Sequence, residues 1–245
     1  MNAGFAPELR RNALLASLPA DELVRLRTIL RVVPLTPGQQ IIGVNQPLPH
    51  LYFVLSGSVA RLAQIQSGET VEVGFIGSEG AVGLSIALGG SAPIGLGRVQ
   101  AGGSAAAISV SDFNEHVRAQ RSALFDALLA YANVQMHVIA QLAACHCLHR
   151  IEQRLSRCIL SLEDHSNGAG SVQTTHDSLA EFLGVHRPSV TYALQALAAE
   201  GAIGVERRRL IVRNRALLES HACECYAAIR NLIANHRDRA GQENA

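Results

Sequence analysis

The feature that most constrains this chain is a change of pattern near Asp112. Glycine-punctuated apolar fragments lie on one side and an unbroken helical run on the other. Most of the 21 glycines fall between Leu35 and Val110, where the only charged residues are Arg61, Glu69, Glu72, Glu79 and Arg98. Short apolar pieces recur there, at residues 40–42, 51–55, 58–62, 71–76 and 105–110. Short strands separated by turn residues predict a β-sandwich or barrel. Between Gly80 and Gly103 glycine and alanine are too abundant to place strands. Ahead of this region, Ala6 to Val33 reads as short helices, with Leu14, Leu15, Leu18, Leu23, Leu26, Ile29 and Leu30 at helical spacing.

From Asp112 onward, with Ser111 or Asp112 as cap, no Gly or Pro interrupts the run through Cys145. Leu124, Leu128, Tyr131, Gln135, Val138, Leu142 and Cys145 step alternately by four and three, a heptad seam with one polar member. Phe125, Leu129, Met136 and Ile139 add a second apolar stripe. Two stripes suit a helix that faces both a second copy of the chain and its own barrel. The seam is therefore expected at a dimer contact; packing on the chain's own barrel alone would leave a similar stripe.

With 245 residues, 48% hydrophobic and 17% charged, the chain can fold as one large domain or two small ones. It contains no lysine, which removes Schiff-base chemistry and a Walker A lysine. A net charge of +1 does not advertise a nucleic-acid partner, so charge must be read locally. Glu8, Arg10 and Arg11 leave no apolar signal core at the N-terminus, so a cytoplasmic location is expected. No run reads as a membrane span; the uncharged stretch from Gly80 to Gly97 is broken by glycines and Pro93.

The cysteines are Cys145, Cys147, Cys158, Cys223 and Cys225, and their odd number argues against a disulfide framework. Cys145 and His149 lie four apart on one helical face, as do His221 and Cys225. Two ligands do not make a structural zinc site, and cysteines two apart on a helix point to different faces. Packing is therefore their expected role, with no metal and no cofactor. A cupin-type metalloenzyme would need several His and carboxylates converging from strands, and the barrel region offers His50 with Glu69, Glu72 and Glu79. No Ser-His-Asp or Cys-His signature is present either, so the chain is not expected to be an enzyme.

The segment 174–197 reads as helix, tight turn, helix. Thr175 can cap the first helix, whose inner face is Leu179, Phe182 and Leu183. Gly184 stands where the turn needs a left-handed residue, and Val185 fills the space between the helices. Pro188 is tolerated in the first turn of the second helix. Val190, Leu194 and Leu197 face inward, leaving Arg187, Ser189, Thr191, Tyr192 and Gln195 outward. Such a helix suits the DNA major groove, where Arg pairs bidentately with guanine. Residues 202–213 then alternate as a β-hairpin with Arg207, Arg208 and Arg209 at its tip. Together with Arg213 and Arg215 they form a basic patch suited to clamping a phosphate backbone.

In this order of parts the chain resembles the cyclic-AMP receptor protein/FNR (Crp/Fnr) family of bacterial transcription regulators over about residues 10–235. The motifs are Pro37-Gly38, Leu51–Gly57, Gly74–Gly83 and, most specific, Leu179–Thr191. The resemblance implies an α+β fold: an N-terminal cyclic-nucleotide-binding-like jelly-roll β-barrel, a long central dimerisation helix and a C-terminal winged helix-turn-helix. The implied domains are a sensor at 1–112, the central helix at 113–149, the winged domain at 150–237 and a tail at 238–245. It further implies a homodimer on a near-palindromic site in double-stranded DNA, with RNA polymerase and a small-molecule effector as partners and no membrane.

Carried over by position, Arg187 matches the guanine-reading arginine, while His186, Ser189 and Thr175 match phosphate-touching positions. Pro188 and Tyr192 stand where some members have a base-reading glutamate and a second arginine. Gly77, Glu79 and Gly80 match part of the cassette that holds the phosphate of cyclic AMP, with Ser78 shifting the spacing. Ala92-Pro93-Ile94 occupies the place of the cassette's arginine, and the next arginine is Arg98. A buried phosphate without a cation is costly, so a cyclic nucleotide is not expected in the usual mode. Gly77, Glu79, Gly80 and Arg98 remain the candidate effector pocket, for another ligand or none. Iron–sulfur sensing is excluded because no cysteine precedes Cys145. The competing reading is a ligand-binding barrel module that controls a partner protein, with the arginine hairpin incidental.

Overall fold

Three short helices open the chain: α1 (Phe5–Leu9), α2 (Ala13–Ala16) and α3 (Ala20–Leu26). The structure is a computed structural model and describes residues 5–90, 95–166 and 170–242. Asn12 ties these helices to the sheet. Its Oδ1 caps α2 by accepting from the N–H groups of Leu14 and Leu15, and its Nδ2 donates to Val54 O at 2.9 Å and Gly80 O at 2.8 Å. A buried amide with both its atoms engaged carries no desolvation penalty to speak of. Nothing in the sequence pattern singles it out.

Six antiparallel strands follow: β1 (Arg31–Leu35), β2 (Gln40–Ile42), β3 (His50–Gln64), β4 (Thr70–Ile76), β5 (Ala81–Val82) and β6 (Gly95–Ser109). They form one sheet of order β1-β6-β3-β4, with β2 on β6 and β5 on β3. The sheet is jelly-roll-like but not a closed barrel. The apolar pieces at 51–55 and 58–62, read as separate strands, are one strand, and Val32 and Val33 belong to β1 rather than to the helical opening. Strand β3 continues through Gly57 because that residue takes φ +78°, where a Cβ would lie 2.4 Å from Ala101 O. Gly103 on β6 is as tight, its Cβ position 2.2 Å from Ser56 O, so the two longest strands bend together where only glycine fits.

After α4 (Val110–Phe113) and a single π-helical turn (Asn114–Arg118), α5 runs from Ala123 to Leu148. Its regular seam corrects the sequence expectation. Leu124, Leu128 and Tyr131 are fully buried in one core with Leu51, Phe53 and Ile108. Gln135, Val138 and Leu142 are also buried within the single chain, so these six side chains cannot meet a partner. The physical reason is that the open sheet needs a wall, and the more continuous stripe supplies it. Gln135 is no flaw in that stripe, since it accepts from Arg61 Nη1 at 2.6 Å. The outward face keeps Leu129 and Met136 exposed, at 39% and 63%. Helix α5 is also long and apolar enough to cross a bilayer by length and composition alone, which the sequence reading passed over. Of its most apolar window 33% is buried inside the protein, the share supplied by the inner stripe.

The chain divides into two compact units, one of residues 1–61, 76–137 and 232–245, the other of residues 62–75 and 138–231. The division runs through α5, not around it. The second unit holds α6 (Ile151–Asp164), β7 (Ser171–Gln173), α7 (His176–Leu183), α8 (Arg187–Ala199), β8 (Ile203–Glu206), β9 (Arg209–Val212), α9 (Arg215–His221) and the start of α10 (Cys225–Gln242). It also holds the tip of the β3–β4 hairpin. There Glu72 Oε2 accepts from Arg157 Nη2 at 2.9 Å, both side chains 1% exposed. Burial is the largest influence and disfavours the Arg157 charge, but the Glu72 charge and hydrogen bond, with the neighbouring Cys158 and Cys145, together raise the guanidinium pKa above its ordinary value. Glu72 O lies 3.0 Å from His146 Nε2, and Thr70 Oγ1 donates to Glu181 Oε1 at 3.0 Å. Phe75 meets Phe182 edge-on, ring centroids 5.5 Å apart.

Glu72→Ala would leave the Arg157 charge buried and unpaired, and should destabilise this unit by about 3–5 kcal/mol in urea unfolding. The double change Glu72→Leu with Arg157→Met should restore most of that loss. Equal destabilisation by single and double variants would show that the pair is not what fixes the hairpin.

Candidate nucleic-acid interface

Helices α7 and α8 form as their residues demand. Thr175 Oγ1 caps α7 by accepting from Ser178 N at 3.0 Å. Gly184 closes α7 at φ 62°, ψ 43°, and Arg187-Pro188 begin α8 after an extended His186. Val190, Ala193, Leu194 and Leu197 are buried. Val185 is half-buried, and Arg187, Pro188, Ser189, Tyr192 and Gln195 are exposed. Tyr192, at 72% exposure, is the largest apolar surface on the outer face.

Two residues that the sequence reading missed shape this face. Asp177, in the first turn of α7, holds Arg187, with Nε 3.2 Å from Oδ1. Both are well exposed, so the pair adds little stability, but it sets where the guanidinium waits. His176 Nδ1 lies 3.0 Å from Thr191 Oγ1, while that hydroxyl also donates to Arg187 O at 3.2 Å. Thr191 is thus half-buried and engaged with its own helices rather than presented outward like Ser189. Only the spacing of His176 to Thr191 across the turn could have hinted at this.

The hairpin is present, and its tip is smaller than expected. Glu206 faces Arg209 across β8 and β9, leaving Arg207-Arg208 as the turn, with Arg208 at φ +61°. A non-glycine residue there is strained by roughly 1–2 kcal/mol. Arg209 belongs to the strand, and its Nη2 donates to Ser171 Oγ at 2.9 Å. Arg215 does not join the basic patch. It is bound to Glu163, to Asp164 at 2.7 Å, to Glu219 at 3.0 Å and to the Tyr226 hydroxyl. Arg213 lies back along β9's end, against Gly204. The exposed cationic tip is therefore Arg207 and Arg208.

Gly77 and Glu79 close a buried turn on themselves, Gly77 N–H donating to Glu79 Oε1 at 2.7 Å. A Cβ on Gly80 would lie 1.8 Å from the Tyr131 hydroxyl, so this glycine is required by a ring from α5. Burial, then the Glu79 charge, pushes the Tyr131 phenol well above its ordinary pKa against the opposing pull of Arg61, so it stays neutral. Arg98 sits on β6 opposite Gln40 of β2. Ala92-Pro93-Ile94, at the place of the cassette arginine, lies outside the described residues, as does the end of the tail, 243–245.

Residues 153–221 match the family described as the Crp-like helix-turn-helix domain. No curated protein matches the chain. Solved structures with the same fold include FixK2 from Bradyrhizobium japonicum, at 17% identity and TM-score 0.67, covering 80% of this chain and 98% of that one. The c-di-GMP responsive global regulator CLP of Xanthomonas campestris aligns at 16% identity and TM-score 0.66, covering 80% and 100%. A CRP-family transcriptional regulator from Thermus thermophilus aligns at 20% identity and TM-score 0.63, covering 78% and 96%. The chain carries a Crp-like helix-turn-helix domain within the fold of the Crp/Fnr regulators.

Proposed function

We propose that the protein is a homodimeric transcription regulator that binds a near-palindromic operator in the cytoplasm. The observation that carries this reading is one open cleft of about 330 Å³ between the start of α7 and the hairpin, to which α8 contributes Arg187. Thr175, Asp177, Arg187, Arg207 and Arg208 line it. A helix N-terminus beside a cationic hairpin is what reading base edges while gripping phosphates requires. Arg187 reads guanine, Ser189, His186 and Thr175 meet phosphates, and Tyr192 offers its ring to the groove.

In the proposed dimer the outward stripe of α5 replaces the buried seam. Leu129, Asn133, Met136, Ala140, Ala143 and Cys147 are all exposed and step alternately by four and three. The barrel serves as a sensor for a ligand other than a cyclic nucleotide, since Tyr131 takes the space above Gly80. The functional domains are those of the sequence reading: sensor, central helix and winged domain.

Arg187→Ala should weaken binding to an operator selected from random DNA by about 1–3 kcal/mol and relax preference at one base pair, read by fluorescence anisotropy. Unchanged affinity would mean that α8 is not the reading helix. Arg208→Gly should weaken binding to all DNA sequences alike and reduce the salt slope by about one, because a phosphate contact is lost. The same variant should unfold no more easily than wild type, since φ +61° suits glycine. Sequence-dependent weakening would count against the phosphate role. Met136→Arg should yield a monomer by light scattering, with only half-site affinity; a persisting dimer would place the contact elsewhere.

A further inference from the structure

Four side chains that the nucleic-acid interface leaves unused converge within the second unit. Cys145 and His149 lie one helical turn apart at the end of α5, His149 N–H donating to Cys145 O at 3.2 Å. Cys223 sits in the link that follows the extended Ala222, and Cys225 opens α10. These two cysteines straddle a helix start instead of sharing a helix, so the opposite-faces argument does not apply to them. His221 goes elsewhere, its Nε2 2.9 Å from Glu200 Oε2.

The ligand atoms of Cys145, His149, Cys223 and Cys225 all lie within 4.8 Å of one another. The Cys145 and Cys223 sulfurs are 3.5 Å apart, and Cys225 Sγ is 3.6 Å from His149 Nδ1. Tetrahedral zinc, at its usual bond lengths, spaces two sulfurs by about 3.8 Å and sulfur from nitrogen by about 3.6 Å. The His149 ring is already turned for ligation. Its Nε2 lies 3.2 Å from Glu224 Oε1, which fixes the hydrogen on that nitrogen and leaves the Nδ1 lone pair facing Cys225. Gln141 Nε2 donates to Cys225 Sγ at 3.1 Å, which helps hold that sulfur in the cluster. Apolar packing explains the cluster poorly, because its buried members are the three cysteines themselves.

We propose that Cys145, His149, Cys223 and Cys225 bind one Zn²⁺ as a closed structural site. Four protein ligands leave no position for water, so the metal holds the start of α10 to the end of α5 and performs no reaction. Each thiol releases its proton to solvent as its sulfur takes the metal, with no change of oxidation state.

The full-length protein, purified without chelator, should carry one zinc per chain by elemental analysis, and saturating zinc should raise its unfolding temperature. Reduced, metal-free protein titrated with Co²⁺ should develop thiolate charge-transfer absorption and the d–d bands of tetrahedral cobalt. Cys223→Ser should abolish these, and Glu224→Gln should weaken affinity by about 10–100-fold. His149→Cys should keep the metal with a spectrum moved toward four thiolates. The proposal is overturned if folded, reduced wild type takes up neither metal, if Cys223→Ser binds as well as wild type, or if mass spectrometry finds a Cys145–Cys223 disulfide in protein that binds no zinc. Should a ligand variant fail to fold, the wild-type titration and the Glu224→Gln affinity still decide the matter.

Discussion

The constraint on which the architecture depends is that one long helix must bury its continuous apolar stripe inside its own chain. An open six-stranded sheet leaves a core with one side unwalled, and Leu124, Leu128 and Tyr131 close it. Burial of three such side chains contributes on the order of 5–8 kcal/mol, enough to decide how the helix is turned. Once the inner face is committed, the outer face follows by helical geometry. Leu129 and Met136 are displaced onto a second heptad line that no residue of the core can reach. The Tyr131 ring then dictates a glycine at position 80, and the same glycine's carbonyl receives Asn12. One helix orientation thus propagates to the turn beneath it and to the N-terminal helices.

The second unit is organised by polar groups as much as by apolar ones. A buried carboxylate–guanidinium pair is weak as net stabilisation but severe as a requirement, since either partner alone would be stranded. Glu72 and Arg157 therefore specify where the β3–β4 tip sits against α6 more sharply than Phe75 and Phe182 could. Arg154 adds to the same end of α6 by donating to Leu183 O at 3.2 Å, one residue before the Gly184 turn. The helix-turn-helix is thus braced from behind by residues with no part in its outer face.

The parts legible in the sequence are those fixed by local rules. Thr175 as cap, Gly184 as left-handed turn and Pro188 in a first turn each follow from backbone chemistry alone, and the structure has all three. The hairpin is legible from its alternation. What fails to show is pairing across distance. A seam spaced at fours and threes looks the same whether it meets another chain or its own sheet, so spacing alone points Leu124 to Leu142 at the wrong partner. Arg215 counts as basic patch in the sequence because its acidic partners, Glu163 and Asp164, lie far away along the chain. The cysteines read as pairs on separate helices for the same reason, as no spacing rule joins Cys145 to Cys223. Gly80 reads as room for a ligand when its room belongs to a phenol.

Asp177 gives the outer face of α8 a property that composition would never suggest. Asp177 holds Arg187 through Nε alone, at 3.2 Å, so an anion can take the Nη groups while the carboxylate stays in place and steers the guanidinium. While that contact is made, the arginine keeps to rotamers that reach Asp177, and the freedom given up there need not be lost again on capture. A side chain leashed in this way gives up reach and gains aim.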